Sequence, residues 1–100
     1  MSVYLVLSYD VFDQKRFAQY RTAAALVVPQ FNGKILSSQQ NPGITTGAST
    51  PSHMSLVKFD TIEDLRSLRN SKRSRSLLAL RVESAETSVH VLYGDDEKLS

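Results

Sequence analysis

The chain has 100 residues, of which 41% are hydrophobic and 22% charged, values that suit one globular domain and leave no room for a second. A net charge of +2 is small for a dedicated nucleic-acid surface, and the lack of cysteine excludes disulfides, thiolate nucleophiles and cysteine metal sites. No apolar run approaches the roughly 20 residues that cross a bilayer. Met1–Tyr4 leads into a strand-like segment without a basic or long apolar leader, so a cytoplasmic protein is expected.

Val3 to Tyr9 reads VYLVLSY, a β-branched and aromatic run short enough for a strand and apolar on both faces. Asp13 suits an N-cap, and Phe12 and Phe17 flank it at the spacing of a hydrophobic staple. Phe17, Tyr20, Ala24, Val27 and Val28 follow at helical spacing. Pro29 weakens that helix and Asn32-Gly33 turns the chain, which predicts a first helix over about 13–30. A second strand is predicted over 34–39. The stretch 40–52, QNPGITTGASTPS, reads as a long loop of the kind that often folds over a ligand.

His53 to Phe59 is a third strand. Thr61-Ile62-Glu63-Asp64 resembles a capping box with Asp in place of Glu. Ile62, Leu65 and Leu68 make an apolar stripe, and Ser71 can cap a further short helix carrying Leu77, Leu78 and Leu80. Thr87 to Tyr93 is a fourth strand, and residues 95–100 a polar tail, so a single domain is expected over 1–94.

This order is β-α-β-β-α-β. The expected fold is α+β and ferredoxin-like: a four-stranded antiparallel sheet in the order 4-1-3-2 with the helices on one face. The other face of the sheet then lies bare, although strands 1 and 4 carry apolar residues on both sides. A second copy of the sheet is the economical cover, which predicts a homodimer.

Several segments, in this order and spacing, resemble the domain-of-unknown-function 1330 family of the dimeric α/β-barrel superfamily. They are Tyr4-Leu5-Val6, Val11-Phe12-Asp13, Phe17 with Tyr20, Phe31 to Leu36, Val57 to Thr61, Ser71 and Arg81 to Ala85. The chain departs from the family pattern at Asn32, Thr46, His53, Lys72 and Ser74, where Gly, an acidic residue, Arg, Pro and Tyr are usual. The resemblance implies a dimeric barrel. The superfamily includes small monooxygenases and isomerases, so a small-molecule site with cofactor-independent activity of either type is expected. A non-catalytic binding or stress-associated dimer is the alternative.

No phosphate loop, nucleophile elbow or paired-histidine motif is present. His90 alternates with Val89 and Val91 and could act as a base near neutral pH, the alternative being a hydrogen-bonded strand histidine. Tyr20 is the second candidate for catalysis, since the resemblance selects it and its helix face looks toward the expected pocket. His53 beside the long loop, Arg81 and Ser74 are candidate ligand contacts. His53 and His90 fall on strands separated by strand 1, so no metal site and no cofactor are expected. Arg66, Arg69, Lys72, Arg73, Arg75 and Arg81 make six basic residues within sixteen, with no acid and no aromatic among them. That run reads as a solvated face rather than a base-stacking surface, so nucleic acid is not an expected partner.

Overall fold

The structure, a computed structural model, describes residues 1–43, 46–47 and 50–94. The expected polar tail 95–100 and part of the 40–52 connection lie outside the described residues. The elements are β1 (Val3–Val11), α1 (Gln14–Val27), β2 (Gly33–Gln40), β3 (His53–Phe59), α2 (Ile62–Arg69), α3 (Lys72–Val82) and β4 (Ala85–Tyr93). The sheet is antiparallel with order β2-β3-β1-β4. This is the α+β arrangement the hydrophobic pattern predicts, with the second helix divided in two.

Each helix starts at a side-chain cap. Asp13 accepts from the Arg16 N–H at 3.0 Å, Thr61 from the Asp64 N–H at 3.2 Å and Ser71 from the Ser74 N–H at 3.2 Å. The capping box at Thr61 is only half made. The short Asp64 side chain instead accepts from Asn32 Nδ2 at 3.1 Å, tying α2 to the turn before β2. The expected staple at α1 is not made by burial either: Phe17 enters the core while Phe12 stays 65% exposed. α1 passes into a single 3-10 turn at Val28–Phe31, where Pro29 sits in the first turn and loses no needed N–H bond. Asn32, at φ 58°, ends it in the left-handed region that Asn tolerates.

Gly33 opens β2 because nothing larger fits. A Cβ there would lie 2.6 Å from Val28 Cγ1 and 2.7 Å from Phe59 Cε1. β4 begins at Ala85, two residues before the expected Thr87, because Ala85 and Glu86 already pair with Val11 and Asp10. The Ser84 carbonyl ahead of it accepts from the N–H groups of both Phe12 (2.9 Å) and Asp13 (3.1 Å), joining the β1–α1 and α3–β4 corners.

Strand alternation sorts the sheet into two faces. Val3, Leu7, Tyr9, Val57, Phe59 and Ala85 point toward the helices and form the core with Phe17, Tyr20, Val28, Leu65 and Leu68. The register puts Tyr4, Val6, Met54, Leu56 and Leu92 on the other face, which no helix of this chain covers. Among the described residues no helix is long and apolar enough to cross a membrane.

Candidate functional site

The helices do not close down on the whole sheet. Between α1, α3 and the strands lies a cavity of about 1220 Å³, larger than most small-molecule sites. Leu5, Leu7, Val57 and Phe59 line its floor, and Ala24, Leu68 and Leu77 are among the helix residues around it. Val89 and Val91 on edge strand β4 also line it and remain about two-fifths exposed, so the cavity reaches solvent on that side.

The polar groups in this apolar space form two hydrogen-bonded sets. Tyr9 from β1 and Tyr20 from α1 share a hydrogen bond between hydroxyls at 2.8 Å. Ser55 lies next along the same face and begins a second set. Ser55 Oγ is 3.1 Å from Ser38 Oγ, and Ser38 Oγ is 3.0 Å from His53 Nε2. Arg81 on α3 lines the same space, where its positive charge acts on both phenols.

A β-bulge makes the second set possible. Ile35 pairs with Val57 on the helix side, and the register then shifts, so that Ser38 rather than Ser37 falls opposite Ser55. Without that extra residue Ser38 would point away from the helices.

The surroundings set the acidities. Burial raises the Tyr9 phenol well above its ordinary value, and the neighbouring Tyr20 raises it further, against smaller opposing effects of Ser55 and Arg81. Burial also raises Tyr20, opposed by the hydrogen bond from Tyr9 and by Arg81. The His53 imidazole is held below its usual value, first by burial and then by the positive charge of Arg21. Its ring is 3% exposed and packs edge-on against Phe17 and Tyr9 at centroid distances of 5.0 and 5.8 Å. At neutral pH both phenols are therefore proton donors and His53 is a neutral acceptor.

Of the residues singled out from sequence, Tyr20, Arg81 and Ser74 line the cavity, and His53 ends the hydroxyl chain behind it. Ser74 has little freedom there, because its hydroxyl bonds the Arg69 and Ser71 carbonyls, both at 2.9 Å, and braces the α2–α3 junction. His90 lies elsewhere. It pairs with Val6 and is exposed on the sheet face turned away from the helices, so it is not brought together with the other four. Ser38, Ser55 and Arg21 complete the site and carry no local motif. A polar residue at an inward position of an otherwise apolar strand is the signal that marks Ser55. Among the described residues, no group of three or more His, Asp or Glu side chains is placed to hold a metal ion.

A family profile described as Domain of unknown function (DUF1330) matches residues 2–95. The chain belongs to the DUF1330 family. No curated protein matches this DUF1330 domain in sequence. Among solved structures, it superposes on a protein of unknown function from Rhodopseudomonas palustris with a TM-score of 0.80. The two are 10% identical over 93% of this chain and 82% of that one. A dimeric ferredoxin-like protein of unknown function from Jannaschia sp. CCS1 gives 0.76 at 12% identity, over 94% and 100% of the two chains. SnoaB, a cofactor-independent oxygenase from Streptomyces nogalater, gives 0.70 at 8% identity, over 93% and 92%. At such identities the likeness shows the fold: the DUF1330 domain is ferredoxin-like.

Proposed function

We propose that this domain binds a small organic molecule in the cavity between helices and sheet. It does so as a cytoplasmic homodimer whose two sheets pack face to face. The bound molecule meets Tyr20 and Arg81, with Ser74 at its side, and His53 receives or returns a proton through Ser38 and Ser55, which line the same cavity. The reaction that fits is a cofactor-independent one of isomerase or oxygenase type, begun by removal of an acidic C–H or O–H proton from the substrate. An isomerase returns that proton at another atom. In an oxygenase the resulting anion itself supplies electrons to dioxygen.

One observation carries this reading. A large apolar cavity carries a paired Tyr9–Tyr20 hydroxyl on its wall and, beside it, two serine hydroxyls that lead to a buried neutral histidine. The structural likeness to SnoaB agrees with it. The dimer is supported by the uncovered Tyr4, Val6, Leu56 and Leu92 face and by the dimeric ferredoxin-like neighbour. His90, on that same face, then belongs to the subunit interface.

A second reading, a dimer that binds without turnover, is favoured by the two raised phenols, which stay protonated and so take no proton from a substrate, and by the commitment of the Ser74 hydroxyl to backbone. Oxygen uptake and proton exchange into deuterated solvent, measured over a panel of phenolic and 1,3-dicarbonyl compounds, separate the two. Turnover that is lost in Tyr20→Phe while binding persists supports catalysis. Binding without turnover across the panel supports the second reading, and no binding at all rejects both.

A further inference from the structure

The basic run of the sequence is divided by the fold. Arg66, Lys72, Arg73 and Arg75 stay at the surface, whereas Arg69 and Arg81 line the cavity, joined there by Arg21 from α1. Three arginines therefore border one space, Arg21 and Arg69 at its exposed rim, and no aspartate or glutamate is among its lining residues.

The nearby acids are engaged elsewhere. Glu83 and Asp13 both pair with Arg16, and Asp64 binds Asn32. Among the described residues no carboxylate pairs with Arg21, Arg69 or Arg81. Arg81 is the most buried of the three, and its positive charge acts on the Tyr9 and Tyr20 phenols. A cluster of like charges beside an apolar cavity is unfavourable without a counter-charge, and its field draws an anion in. A guanidinium fork also matches a carboxylate in a bidentate way that an ammonium does not.

We infer that the ligand of this cavity is an organic anion with an apolar body, its carboxylate or enolate oxygens held by Arg81 and Tyr20 and its hydrocarbon part lying on Leu5, Leu7, Val57 and Val89. The inference rests on the binding reading above and adds the charge of the ligand to it. The Tyr20 phenol, held in its protonated form, can donate to the same anionic oxygen, and a neutral molecule of equal shape leaves Arg81 without a counter-charge.

The test uses 2-naphthoate as the anionic probe and its methyl ester as the neutral one, titrated calorimetrically into the intact protein. Naphthoate is expected to bind roughly tenfold or more tightly than the ester at low salt. That preference shrinks as ionic strength rises, because part of it is Coulombic. In Arg81→Gln the two probes converge, chiefly through loss of naphthoate affinity, and Arg81→Lys keeps part of the preference. Circular dichroism shows whether each variant is folded; if Arg81→Gln is not, the salt dependence and the ester comparison on the parent protein decide. Equal binding of acid and ester overturns the charge assignment and leaves the binding reading standing. An undiminished preference in folded Arg81→Gln overturns the role of Arg81. Binding of neither probe overturns the binding reading, and this inference with it.

Discussion

The hydroxyls of Tyr9 on β1 and Tyr20 on α1 meet at 2.8 Å inside the core, where each is the other's partner. Removing one leaves its partner buried with a lost bond, at a cost of about 1–3 kcal/mol, whereas removing both removes the mismatch. Tyr20→Phe and Tyr9→Phe are each expected to lower stability by roughly 1–2 kcal/mol, and the double variant by less than the sum, with a coupling of about 0.5–1.5 kcal/mol. Urea unfolding of the four proteins gives this cycle directly. Strict additivity would show that the bond contributes nothing to stability.

The second prediction concerns pH. Burial, and then Arg21, hold the His53 imidazole below its ordinary value, so the unfolded chain takes up that proton before the folded one does. Stability attributable to His53 is therefore complete above about pH 6.5 and declines as pH falls from there toward the folded-state pKa. His53→Gln keeps a hydrogen-bonding side chain beside Ser38 and removes the titration. Between about pH 7.5 and pH 5.5 the variant is expected to show a flatter stability profile than the parent. Parallel profiles would place the pH dependence in other groups.

Gly33 offers a third test. An added methyl group would meet Val28 Cγ1, Phe59 Cε1 and the Val28 carbonyl, all within 3 Å, and the last of these is backbone that cannot swing aside. Gly33→Ala is expected to destabilise by about 1–3 kcal/mol through overpacking. The same substitution at Gly43, where nothing lies within 4 Å, is a control expected to cost little. Equal effects at the two positions would contradict the packing account.

A fourth prediction addresses the uncovered sheet face. Val6, in the central strand, has Leu56 and His90 as its cross-strand neighbours. Val6→Glu puts a charge in the middle of that face without touching the helix-side core. Sedimentation velocity is expected to show a dimer for the parent protein and a monomer for the variant. A parent that sediments as a monomer at micromolar concentration removes the dimer from the proposed function.

Local chemistry made much of the fold legible. Asp13, Thr61 and Ser71 each announce a helix and each caps one, and His53 to Phe59 forms the strand its alternation predicts. The candidate site was less accessible because its parts meet only through register. Nothing in GKILSSQQ marks the bulge at Leu36 that turns Ser38 inward, and the two faces of β4 are too alike in polarity to say which one carries His90. Arg21 is one exposed residue of a polar helix until the strand holding His53 is laid beside it. The Phe12 staple failed for a related reason: the N–H groups of Phe12 and Asp13 are claimed by Ser84, and that anchorage sets the entry of the helix independently of the phenylalanine.

That anchorage also limits how the molecule can breathe. One carbonyl oxygen welds the two crossover corners together, and the Glu83 carboxylate, bonded to Arg16, bolts the same corner from outside. The end of the cavity near Ser84 is thus a fixed jaw. The opposite end of α3 is held more lightly, by the hydroxyls of Ser71 and Ser74 on backbone carbonyls of the α2–α3 junction, so the helix is tied at both ends.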